Sequence, residues 1–109
     1  EHVKRVVLNL VRNAAQAGTN VGVSAEVLRG EVVITVVDDG MGIPAAILDR
    51  IFEPFVTDKE QGAGLGLAIV KKVVEGNLGR VEVENREAET GGGAEFRVYF
   101  RGAEDIPVQ

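Results

Sequence analysis

Asn9 and Asn13 lie four residues apart in a stretch with helical periodicity, so their carboxamides share a face, and Gln16 continues that face three residues on. Asn is a poor helix former because its side chain competes for the backbone, so two on one face need a reason. One reason is an amide oxygen for a hard cation such as Mg²⁺, with the second amide near the phosphates. Two solvated surface amides fit the same spacing. Further on, Asp38-Asp39-Gly40-Met41-Gly42-Ile43-Pro44 follows an apolar run. A carboxylate at a strand end can accept a hydrogen bond from an exocyclic amine, and glycines without a Cβ let the backbone approach a flat ring. An ordinary strand-ending turn would look the same.

Gly62-Ala63-Gly64-Leu65-Gly66-Leu67 opens a helical pattern. Glycine-rich backbone entering a helix N-terminus presents free N–H groups and the positive end of the helix dipole to an anion. It is not a Walker loop, since no GK[ST] follows, and no strand directly precedes it as a dinucleotide fingerprint requires. A flexible hinge is the competing reading. Phe52-Glu53-Pro54-Phe55 places two aromatics in a long connection, as an anchor for a mobile segment or as a small satellite core. Lys59 is the one cation between residues 51 and 70; it could reach a terminal phosphate or be a solvated lysine. His2, the only histidine, reads as a surface residue, and there is no Ser-His-Asp set, cysteine or zinc-type cluster.

The elements that must position these groups follow from periodicity. Val3, Val7, Leu10, Ala14 and Ala17 define a first helix, stopped by Gly18-Thr19-Asn20. Val23, Ala25 and Val27 alternate with polar residues as a half-buried strand, Arg29-Gly30 makes a tight turn, and residues 32–37 read as a central buried strand. Residues 45–64 form a long connection of the kind that often serves as a lid. A second helix spans about 65–75, and strands are expected around 81–84 and 96–100, with TGGG at 90–93 between them. Helix, strand, strand, helix, strand, strand packs most simply as one sheet with helices on one face, a two-layer α/β sandwich.

A chain of 109 residues suits one domain, and 45% hydrophobic with 27% charged residues predicts a real core. The net charge of −5 argues against a nucleic-acid partner, yet leaves room for a nucleotide held by backbone N–H groups and a metal. No run approaches the roughly 18 apolar residues needed to cross a membrane.

Each motif is ambiguous alone; their order is more specific. LNLVRNAAQA, VVDDGMGIP, IFEPFVTDKEQGAGLGLAIV and GGGAEF, across residues 3–100, together resemble the catalytic domain of sensor histidine kinases, in the superfamily shared with gyrase, Hsp90 and MutL. The resemblance implies an α+β Bergerat fold: a two-layer sandwich with a mixed, mainly antiparallel sheet, helices on one face and a long ATP lid. It implies ATP and Mg²⁺ as cofactors, with Asn13 as metal ligand and Asn9, Asn13 and Lys59 as catalytic residues. The nucleotide would be held by those residues with Gln16, Asp38, Gly40, Gly42, Ile43, Phe55, Gly62, Gly64, Leu65, Gly66 and Leu67. Asp38 would read the adenine amine, and Phe52 and Phe55 would be the aromatic box of the lid. The implied domain is 1–101, truncated at its N-terminus, with 102–109 a tail or linker.

The implied partners are a dimerisation domain carrying the phosphoacceptor histidine, and indirectly a response regulator, with no nucleic acid and no membrane contact by this domain. The setting is cytoplasmic, in a parent that can be membrane-anchored. Asn9 stands where ATPase branches usually carry a water-activating glutamate, and an amide cannot be that base at neutral pH. Gln16 replaces a common Lys or Arg, Ala94 a common Thr, and the strand that normally precedes the first helix is missing, which predicts an exposed sheet edge. A degenerate nucleotide-binding module and an anti-sigma-factor-type serine kinase are the competing readings.

Overall fold

The computed structural model describes residues 2–57 and 65–101; the expected tail at 102–109 lies outside them. The chain runs α1 (His2–Ala17), β1 (Val21–Leu28), β2 (Glu31–Asp38), a short α2 (Ala45–Leu48), α3 (Gly66–Gly76), β3 (Arg80–Asn85), a 3₁₀ turn (Ala88–Thr90) and β4 (Ala94–Arg101). The strands form one sheet in the order β1-β2-β4-β3, and all three pairings are antiparallel. The fold is therefore α+β, as expected. The resemblance implies a mixed sheet, but no parallel pair occurs among the described strands. Short α2 has no counterpart in the sequence pattern, because four residues are too few to show a period.

Register decides which residues meet the helices. Val36 faces Phe96, Ile34 faces Val98, and Val83 and Val81 continue those rows on β3. Directly paired residues share a sheet face, and this one carries the core with α1 and α3 packed on it. α1 buries Leu10 and Ala14 as expected, but Val6 in place of Val3, so that Val7 is half-buried and Val3 and Ala17 are exposed. α3 buries Leu67, Val70 and Val74. Burying a Leu or Val side chain contributes roughly 1.5–3 kcal/mol, so the two helices are held by their packing.

Arg29 and Gly30 both have positive φ (51° and 80°), the geometry of a two-residue hairpin turn that suits strand twist. β1 is an edge strand, and Val23 and Val27 on its helix-side face are 52% and 63% exposed because α1 lies mainly over β2. The outer face of β3 and β4 is made compatible with water by ion pairs. Arg97 meets Glu82, Glu84 and Glu95, and Arg80 meets Glu31 and stacks 3.8 Å above the Tyr99 ring. Burial works against the charge on Arg97, but hydrogen bonds with Glu84, Glu95, Tyr99 and Glu82 outweigh it and hold the guanidinium above its ordinary pKa.

Candidate nucleotide site

Four segments meet around a cavity of about 390 Å³. α1 contributes Asn9, Asn13 and Gln16, the end of β2 contributes Asp38, the following loop Gly42 and Ile43, and the start of α3 Leu65, Gly66 and Leu67. The apolar part of the wall includes Ile51, Ala94 and Phe96, all buried. Part of the cavity wall is thus apolar while amides, a carboxylate and a helix end line the rest, the usual division in sites for small organic ligands.

The two aspartates have separate tasks. Asp38 is 2% exposed, and its Oδ1 accepts the Gly40 N–H at 2.9 Å and the Ala94 N–H at 3.3 Å. Those two donors hold the carboxylate in one orientation at the cavity wall. Asp39 faces away and closes the α1–β1 junction. It accepts the Thr19 N–H at 2.7 Å, the Asn20 N–H at 3.0 Å and the Asn20 side chain at 2.8 Å. The Asn20 backbone, its side chain and the Thr19 N–H hold the Asp39 carboxyl below the usual range.

Asn9 donates its amide to the Arg5 carbonyl at 3.1 Å, one turn back. Its Oδ1 is therefore turned toward the start of α3, 3.7 Å from where a Cβ on Gly66 would stand. α3 begins with Leu65 as N-cap; among the described residues it has no side-chain cap, and its first ladder bond is Ile69 N–H to Leu65 C=O at 3.0 Å. The N–H groups of Gly66, Leu67 and Ala68 precede that bond, so they have no acceptor within the helix. With the positive end of the dipole they make this stretch of wall suited to phosphate oxygens.

Not every expected residue reaches the cavity. Gly40 packs on α1, where a Cβ would clash with the Ala17 carbonyl, and is not in the wall. Phe52 sits edge-on to Phe96 at 6.0 Å and joins the core, the satellite-core reading. Phe55, at a φ of 69°, is 74% exposed and does not line the cavity. Lys59, Gly62 and Gly64 lie outside the described residues. His2 is exposed, its ring nitrogen 3.3 Å from the Asn77 amide in a different groove, away from the cavity.

Arg12, Met41 and Thr57 also line the cavity; Met41 and Thr57 carry no signal in the sequence. Arg12 was legible, being three residues after Asn9 on the same face, and it supplies a cation where Gln16 does not. Ala94 contributes through its main-chain N–H, so the absent hydroxyl leaves that contact in place. Asn85 clamps the loop after β2: the Ile43 N–H donates to its Oδ1 at 2.7 Å, and its Nδ2 donates to the Ile43 carbonyl at 2.8 Å.

Residues 1–104 match the family model described as histidine kinase-, DNA gyrase B- and HSP90-like ATPase. The chain belongs to that family, among the ATP-binding catalytic domains of sensor histidine kinases. It is 40% identical over 88 residues to sporulation kinase D of Bacillus subtilis, covering 78% of this chain and 17% of that protein. It superimposes on a mycobacterial sensor histidine kinase, MprB, with a TM-score of 0.84 and 31% identity, covering 93% of this chain and 72% of the other. With full-length ShkA in complex with AMPPNP the TM-score is 0.79 and the identity 34%, covering 94% of this chain and 22% of the other. The chain thus spans about one sixth of the sporulation kinase it matches.

Proposed function

We propose that this chain binds Mg-ATP and transfers the γ-phosphoryl group to a histidine on a dimerisation domain outside residues 1–109, in two-component signalling. The observation that carries the reading is the convergence of the Asn9 and Asn13 amides, the Asp38 carboxylate and the uncapped start of α3 on one cavity. Asp38 accepts the adenine amine, the ring lies along Ile43 and Phe96, and the phosphates run toward Gly66 and Leu67.

The donor set fits magnesium entering with the triphosphate. Among the described residues no three His, Cys, Asp or Glu side chains cluster to hold a metal. Mg²⁺ commonly uses one or two protein oxygens with substrate phosphates and waters, and the Asn13 amide oxygen would be the protein ligand here. When bound, the ion neutralises phosphate charge.

Transfer forms a bond from an imidazole nitrogen to the γ-phosphorus and breaks the bond to the β–γ bridging oxygen. ADP leaves, and the imidazole N–H proton passes to solvent. Asn9 cannot take a proton from water, so the chain positions the phosphoryl group without activating hydrolysis. Arg12, in the cavity wall, adds a cation beside the phosphate path; for Lys59 the terminal-phosphate role rests on its place in the sequence alone. The phosphohistidine then serves a response regulator. On this reading the domain works in the cytoplasm without touching nucleic acid or membrane.

The test mixes the chain with γ-labelled Mg-ATP and a separately prepared dimerisation domain carrying the acceptor histidine. Acid-labile phosphohistidine with very slow free hydrolysis is expected. Brisk steady-state ATPase activity, phosphoserine, or nucleotide binding without transfer would each overturn the reading.

A further inference from the structure

We infer that Asn85 and Arg86, at and just beyond the end of β3, set the base specificity of the cavity by locking the two loops that hold Asp38. The inference rests on the nucleotide reading above. Neither residue is in the cavity wall, so both are positioning residues and not catalytic ones.

The first loop, residues 39–44, has no regular structure. Gly42 holds a φ of 82°, and Met41 is fully exposed. Asn85 meets it as a neighbouring strand would, with one acceptor for the Ile43 N–H and one donor for the Ile43 carbonyl. A Cβ on Gly42 would stand 2.9 Å from Asn85 Oδ1, so loop and clamp fit only with glycine there. This loop carries the Gly40 N–H, the first donor to Asp38 Oδ1.

The second loop carries the other donor, Ala94 N–H. Gly91, Gly92 and Gly93 all have positive φ, at 107°, 68° and 83°. Three successive glycines lose the most backbone freedom on ordering, so something must hold them. Arg86 does so: its guanidinium donates to the carbonyls of Thr90 at 2.6 Å, Gly92 at 3.3 Å and Asp38 itself at 3.5 Å. Its own N–H donates to the Gly93 carbonyl at 2.8 Å. The loop is drawn in so far that a Cβ on Gly93 would clash with the Asp38 carbonyl.

Asp38 is thus held from both sides, by N–H groups from two loops that Asn85 and Arg86 immobilise. A carboxylate free to rotate can accept from water as readily as from a purine amine. A fixed one favours adenine over a purine with an oxygen at that position.

The experiment uses Asn85→Ala and Arg86→Met, the second keeping the stem and removing the donors. Each is titrated, with magnesium, against a non-hydrolysable ATP analogue, its inosine counterpart and inorganic tripolyphosphate, with a thermal melt to establish folding. One hydrogen bond to a charged group predicts that the wild-type chain prefers the adenine ligand by about tenfold. Each variant is expected to keep no more than about twofold of that preference, with tripolyphosphate affinity within about twofold of wild type. A folded variant that keeps the full preference, or loses adenine ligand and tripolyphosphate alike, overturns the inference. If Asn85→Ala does not fold, Asn85→Asp, which keeps the acceptor and loses the donor, is read by the same ratio with the same two outcomes. A wild-type chain that binds none of the three ligands overturns the nucleotide reading itself.

Discussion

Replacing Asp38 by Asn changes one atom and one charge without changing shape, which makes it the sharpest probe of the cavity. In the fold, the new carboxamide can still present an oxygen to the Gly40 and Ala94 N–H groups, which lie 2.9 and 3.3 Å from the native carboxylate. Two charge-assisted acceptances become two neutral ones, so stability should fall by about 1 kcal/mol, or about 5 °C in Tm for a domain of this size. In the cavity the consequence is larger. On the proposed assignment, the atom that accepts the adenine amine becomes an NH₂, and donor meets donor. Loss of a hydrogen bond to a charged group costs about 1.5–3 kcal/mol, which weakens ATP about ten- to 150-fold. An inosine nucleotide offers an oxygen there and should bind the Asp38→Asn protein at least as well as the wild type, so the preference falls to parity or inverts. Calorimetric titration of both proteins with non-hydrolysable ATP and its inosine counterpart reads the ratio directly. An unchanged ratio, or equal weakening of both ligands, would refute the assignment of Asp38 to the base.

Asn13→Ala should weaken the ATP analogue about tenfold or more in magnesium and scarcely at all in chelator, as expected for one lost metal ligand. Equal loss in both conditions would remove Asn13 from the metal. Gly93→Ala forces a left-handed residue to carry a Cβ, at about 1–2 kcal/mol, and drives it into the Asp38 backbone at about 1–3 kcal/mol more. Differential scanning calorimetry should show a fall in Tm of roughly 10 °C or more, and a fall under about 3 °C would mean the loop stands further off. Glu82 has its pKa lowered below 4.5, chiefly by the Tyr99 hydroxyl against some desolvation, with help from Arg97 and Arg80. A depressed folded pKa stabilises above the unfolded value and is lost as pH falls through the folded one. Stability should therefore drop on acidification from about pH 4.5 downward. Glu82→Gln should flatten that limb in urea titrations, by under about 1 kcal/mol because the pair is only partly buried and screened by solvent. An unaltered acid limb would discount the Tyr99–Glu82 bond.

The sequence alone determined the two long helices, the four strands and the main parts of the candidate site, because these are written in short-range spacing. A four-residue step put Asn9 and Asn13 on one helix face, two-residue alternation put Asp38 in the row of Ile34 and Val36, and glycines marked the start of α3. Tertiary structure decided what depends on residues far apart along the chain. It buried Val6 where the spacing favours Val3, since only the sheet beneath says which way a broad apolar stripe faces. It sent Phe52 into the core and left Phe55 exposed, though the two stand three residues apart with the same side chain. It joined Ile43 to Asn85 across 42 residues and Asp38 to Ala94 across 56, contacts that no local pattern records. Periodicity reports the face a residue presents to its own element. Which partner waits on that face is set by sheet register and loop closure, and these exist only once the chain has folded.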